Sequence, residues 1–119
     1  MAMTYAILKV KQSHEHPDFI EVKFLVDSGA VYSLVPSEDI ERIGIQPHRT
    51  MNFVLADGTE IERKAGDAYF EWQGDGGAAP VIFGEMGDEP ILGSTTLESL
   101  GLVLNPFSRE LKPMRMLLV

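Results

Sequence analysis

Apolar and polar residues alternate along this chain in short runs that predict a succession of strands. Ile7, Leu8 and Val10 punctuate Thr4 to Gln12 and predict the first. Phe19 to Val26 predicts the second, which turns continuously apolar at Phe24-Leu25-Val26, as a buried strand end would. The run stops abruptly at Asp27-Ser28-Gly29-Ala30, and Val31 to Val35 resumes extended structure. Pro36 and Ser37 then open a short helix over Glu38 to Ile43. Ser37 is its expected N-cap, Glu38 and Asp39 suit the positive end of the helix dipole, and Gly44 is the expected stop. Ile40 and Ile43 lie three apart and share its core-facing side.

Thr50 to Ala56 and Thr59 to Arg63 read as two strands joined at Asp57-Gly58, a strong hairpin signal. Gly66 to Gln73 alternates through Ala68, Phe70 and Trp72. The glycine-rich Gly74-Asp75-Gly76-Gly77 reads as a loop before a strand at Ala79 to Gly84, and Glu85 to Glu89 as a polar surface connection. Pro90-Ile91-Leu92-Gly93 is a second apolar run ending in glycine. It leads into a helix over Ser94 to Leu100, a strand at Leu102 to Leu104 and a turn at Asn105-Pro106-Phe107-Ser108. Glu110 to Val119 ends the chain in extended, apolar form. Its last six residues, Met114 to Val119, are too apolar for a free tail, so they are expected to be ordered in the fold or at an interface between copies. Many short strands and two short helices indicate one mainly β domain over residues 1–119.

Composition narrows the function. The formal charge of −8 opposes binding to nucleic acid or to anionic membranes, so neither is an expected partner. The excess is local: ten acidic residues lie between Met51 and Leu100, against Arg63 and Lys64. A solvated acidic surface explains this directly; a preference for basic or neutral peptides is the second explanation. No apolar stretch is long enough to span a bilayer, and Met1 to Tyr5 lacks the basic start and apolar run of a secretory signal. The chain has no cysteine, which removes disulfides and thiolate chemistry and fits a cytoplasmic location. His14-Glu15-His16 would put two imidazoles on one face of a strand, but without a third ligand the segment is read as an exposed loop, and no metal or cofactor is expected.

The chemistry concentrates at Asp27. A carboxylate beside so much apolar surface is costly unless it is hydrogen-bonded, paired or protonated. Taken alone, Asp27-Ser28-Gly29 fits an ordinary turn in which Asp27 caps its own backbone. Taken with Ile91-Leu92-Gly93 and the hairpin between them, the pattern resembles the retropepsin-like aspartic proteases. That family comprises the retroviral proteases and their bacterial, archaeal and cellular relatives of clan AA. The resemblance covers about Phe19 to Pro113. It implies a closed β-barrel of the acid-protease type with two short helices, and a homodimer acting on polypeptides. Asp27 would be the catalytic residue, paired with its copy across a two-fold axis because the chain holds one Asp-Ser-Gly. Ser28, Gly29 and Ala30 would support the loop, Ile91, Leu92 and Gly93 would pack behind it, and Ala56, Asp57 and Gly58 would form a flap tip over the substrate. An acid at position 57 departs from the glycine-rich tips of the retroviral enzymes. Two further readings stand beside this one: a non-catalytic peptide-binding domain of the same fold, and a β-barrel interaction module with a chance Asp-Ser-Gly turn.

Overall fold

Alternation decides which side of each strand is buried. In a computed structural model that describes residues 3–118, β1 (Tyr5–Lys11) turns Leu8 and Val10 inward, and β2 (Phe19–Val26) does the same with Val22, Phe24 and Val26. The two pair antiparallel from Tyr5↔Leu25 to Lys11↔Phe19. β3 (Ser33–Pro36) leads into α1 (Ser37–Arg42), whose Ile40 is fully buried. β4 (Arg49–Val54) and the first half of β5 (Glu60–Trp72) form the expected hairpin, paired from Val54↔Glu60 to Arg49↔Ala65. β6 (Asp75–Gly84) returns beside β5, and β7 (Ile91–Leu92) precedes α2 (Ser94–Ser99). β8 (Leu102–Leu104) and β9 (Leu111–Pro113) make a separate two-stranded sheet.

The main sheet runs β1-β2-β7-β3-β6-β5-β4, and β1 also pairs with β5 through Lys9↔Glu71, Val10↔Phe70 and Lys11↔Tyr69. The succession of pairings therefore returns to its first strand, leaving β4 as an outlying edge. Phe24 and Phe70 meet at the centre with ring centroids 6.2 Å apart, surrounded by Leu8, Val35, Val81 and Leu92. Burying side chains of this size stabilises by about 1.5–3 kcal/mol each.

Three local expectations change. The separate strands at 59–63 and 66–73 are one 13-residue strand, because its second half pairs with β6 without a break. The loop expected at 74–77 shrinks to Gln73-Gly74. Both residues take positive φ, 51° and 88°, as a tight two-residue hairpin turn demands, and Asp75 already pairs with Trp72. The glycines at 76 and 77 belong to β6, where the Tyr69 ring and the Ser99 carbonyl lie where side chains would stand. At α1 the N-cap is Pro36, and no side chain caps the helix. The Ser37 hydroxyl donates instead to the Gly84 carbonyl at 2.9 Å, joining α1 to the end of β6.

His14 and His16 lie in a turn rather than on a strand, so they share no face; the His14 ring packs on Tyr69. Of the terminal segment, Met114 is half-buried and donates its N–H to the Gly101 carbonyl. Residues 115–118 are exposed and outside any strand, which removes them from the core of the chain; Val119 lies outside the described residues.

Candidate active site

Asp27 begins where β2 stops. Its backbone N–H donates to the Leu92 carbonyl at 3.0 Å, and its own carbonyl accepts from Ala30 N–H at 3.1 Å, which closes a tight turn. Its carboxylate is exposed, and Oδ1 accepts the Gly29 N–H at 2.9 Å. A Cβ on residue 29 would sit 3.2 Å from that oxygen, so glycine leaves the carboxylate room. The apolar run ahead of Asp27 suggests burial, yet the turn carries the side chain clear of it. Ser28 and Gly29 are also exposed, and Ala30 is half-buried.

The loop is held from behind by two elements. β7 lies between β2 and β3, parallel to β2 through Leu25↔Ile91 and Val26↔Leu92 and antiparallel to β3 through Leu34↔Ile91. Leu92 is fully buried, while the half-buried Ile91 faces the cleft described below. Gly93 packs on the backbone of Tyr32, where a Cβ would fall 2.6 Å from the Tyr32 carbonyl group; only glycine fits. The second element is α2, which has no side-chain cap. The N–H groups of Ser94 and Thr95 donate to the carbonyls of Ala30 and Val31 at 2.7 and 2.9 Å. The Asp27 loop thus satisfies the free amides that begin the helix, and each element fixes the other.

Beneath this lies a polar cluster that sequence reading missed. Ser33 and Thr96 are both fully buried, with their hydroxyls 2.5 Å apart, and Ser33 Oγ accepts the Gly93 N–H at 2.9 Å. The two residues are separated by 63 positions, and no local pattern links them.

The cleft is a cavity of about 470 Å³ between the Asp27 loop and the β4–β5 hairpin. Gly29, Ala30 and Leu34 line it together with Ile82 and Ile91, and Phe53, Val54, Leu55 and Ile61 line it from the hairpin. Apart from Arg63 and Tyr32, its lining side chains are apolar. The tip residues Ala56, Asp57 and Gly58 are exposed and stand beyond this lining; the hairpin covers the cleft with the residues before and after its tip. The tip is internally fastened. The Leu55 N–H donates to the Thr59 carbonyl at 2.8 Å, and Asp57 Oδ1 accepts the Thr59 N–H at 2.9 Å. The Thr59 hydroxyl, then its N–H, hold the Asp57 carboxyl below the usual carboxylate range.

Arg63 was not singled out by its sequence context. Its side chain, 15% exposed, makes two bonds to Asp88, Nε to Oδ2 at 2.8 Å and Nη2 to Oδ1 at 3.2 Å, with Glu85 3.5 Å away. Asp88 also accepts the Glu85 N–H at 2.8 Å. The Arg63 guanidinium, with help from the Glu85 N–H, holds the Asp88 carboxyl below its ordinary value, and Asp88 raises Arg63 in return.

This architecture has solved counterparts. Over 84% of this chain and 89% of theirs it superposes on the equine virus enzyme described as "EIAV protease complexed with the inhibitor HBY-793", with a TM-score of 0.63 at 16% identity. Over 78% of this chain and 92% of the other it matches the solution structure of simian foamy virus (mac) protease, with a TM-score of 0.51 at 22% identity. The fold is that of the retroviral proteases. Identities this low establish the fold and leave the chemistry to the residues. No protein-family model matches the chain, and no curated protein does.

Proposed function

We propose that this chain is an aspartic endopeptidase that acts as a homodimer. One observation carries the reading. In a retroviral-protease fold, Asp27 presents an exposed carboxylate from a loop locked by β7 and α2, beside an apolar cleft that a hairpin covers. A two-fold axis near this loop would bring two copies of Asp27 together and close the barrel-like subunits around a shared cleft. Two close carboxylates do not readily both ionise, so the pair holds one proton. The ionised member takes a proton from water as the water oxygen bonds to the peptide carbonyl carbon. The protonated member gives its proton to the carbonyl oxygen. On collapse the C–N bond breaks, the amine leaves with a proton from one carboxyl, and a hydroxyl of the tetrahedral diol returns its proton to the other, which restores the one-proton pair. Ser28 would hydrogen-bond across the axis, and the apolar lining would select large apolar side chains beside the scissile bond. The absence of cysteine supports placing the enzyme in the cytoplasm.

The test is peptide-library cleavage at mildly acidic and neutral pH by the wild type and Asp27→Asn, with sedimentation over a range of concentrations. Asparagine keeps the size and the Gly29 contact but cannot exchange the proton, so cleavage should vanish while the fold persists. Full activity in Asp27→Asn would refute the proposal. A dimeric wild type that binds peptides without cutting them would favour the non-catalytic peptide-binding domain.

A further inference from the structure

The hairpin over the cleft is fastened to the rest of the chain in an uneven way. β5 gains its β6 neighbour only from Ala65↔Ile82 onward, so residues 60–64 pair with β4 alone and the hairpin overhangs the sheet. Among the described residues, Arg63 makes the one set of side-chain hydrogen bonds from residues 49–64 to any part of the chain outside them. Its partner Asp88 sits in a turn that closes on itself twice: Asp88 N–H donates to the Glu85 carbonyl at 2.9 Å, and the Asp88 carboxylate accepts the Glu85 N–H. Two residues further on, the Pro90 carbonyl accepts the Leu25 N–H at 3.0 Å, and the Leu92 carbonyl accepts the Asp27 N–H. One short segment, residues 85–92, therefore grips the hairpin at one end and the Asp27 loop at the other.

We infer that Arg63 is a positioning residue: by its two-point bond to Asp88 it sets the height of the hairpin above the cleft and couples that height to the Asp27 loop. The guanidinium suits this work, because two parallel bonds fix an orientation that a single ammonium contact leaves free. Apart from Tyr32, the other side chains that line the cleft are apolar, and apolar surfaces resist sliding weakly. Opening the cleft to admit a ligand then requires the hairpin to pivot about this pair or to break it. The role is an addition to the protease reading, since it concerns how that site is held, but it can be measured without any turnover.

The experiment is amide hydrogen exchange on the intact, unliganded protein, with Val22 and Phe70 as core references. In Asp88→Asn, amides of residues 53–61 should exchange ~10-fold faster, Asp27 and Gly29 about two- to threefold faster, and the core references no faster. Arg63→Lys should fall between this variant and the wild type. The swapped pair, Arg63→Asp with Asp88→Arg, should recover most of the wild-type protection. Unchanged exchange in the hairpin of Asp88→Asn overturns the inference. So does an equal rise in hairpin and core, which would mark a general loss of stability. Failure of the swap to restore protection overturns the pairing as the cause, and a loosened hairpin with an unaltered Asp27 loop overturns the coupling. If the wild type proves unable to cleave peptides yet shows the expected exchange pattern, the protease reading fails and the tether stands.

Discussion

Replacing Ser33 by alanine tests the buried support of the site most directly. The Ser33 hydroxyl serves two groups, the Gly93 N–H at 2.9 Å and the Thr96 hydroxyl at 2.5 Å, and neither Ser33 nor Thr96 reaches solvent. Ser33→Ala orphans both. An unsatisfied buried polar group costs about 1–3 kcal/mol, and with partial relaxation the pair should cost about 2–4 kcal/mol. Thr96→Val leaves the Gly93–Ser33 bond in place and should cost about 1 kcal/mol. The double variant leaves only the Gly93 N–H unpaired, so it should be less damaging than the sum of the singles by about 1 kcal/mol. Urea unfolding at one fixed protein concentration reads this out, because subunit association would otherwise shift the midpoint. With a slope of about 1–3 kcal/mol/M, Ser33→Ala should lower the midpoint by about 1–2 M. A cost under about 0.5 kcal/mol for Ser33→Ala, together with strict additivity, would show that the hydroxyl pair does not hold β7 against β3.

Gly93→Ala should destabilise by about 1–3 kcal/mol in the same assay, since its methyl group would overlap the Tyr32 backbone. By displacing β7 it should also slow peptide cleavage by ~10-fold or more. Asp88→Asn should cost the closed hairpin about 1.4 kcal/mol at neutral pH, the equivalent of its ~10-fold faster exchange, and leave the global unfolding midpoint nearly unchanged. Because the folded-state carboxyl of Asp88 titrates below its ordinary 3.8, the stability it contributes is complete above that pH. It is lost as pH falls through the lowered value, so hairpin exchange of wild type and variant, corrected for intrinsic rates, should converge below pH 3.8. Asp75→Asn, at the exposed end of β6, should change stability by no more than about 0.5 kcal/mol and leave cleavage intact.

Much of this arrangement is legible in the sequence because it is local. Alternation places Val22, Phe24 and Val26 on one face of β2, the break at Asp27 follows from the chain itself, and Asp57-Gly58 marks its hairpin. What could not be read depends on partners far along the chain. Arg63 and Asp88 lie 25 positions apart, and Ser33 and Thr96 lie 63 apart, so neither pair leaves a periodic signal. Gly76 and Gly77 were misleading for a physical reason. Glycine marks a loop when it supplies unusual backbone angles, but here it makes room for Tyr69 and Ser99 inside a regular strand. Ser37 carried a capping signal, yet the nearby Gly84 carbonyl takes its hydroxyl instead.

The placement of β7 has a consequence for how the molecule comes into being. β1 and β2 are neighbours in sequence and can zip together as soon as both exist, as can β5 and β6 across their two-residue turn. β7 is only two residues long and must enter between β2 and β3, bringing Ile91 to Leu25 from 66 positions away. Such a distant, parallel pairing carries a loop-closure cost that local hairpins escape, and it is correspondingly slow. The Asp27 carbonyl turn and the helix that anchors it therefore take shape late. A nascent chain on the ribosome holds the Asp27 carboxylate in an unformed loop until residues 91–96 have emerged, and the site is completed by the order in which its strands meet.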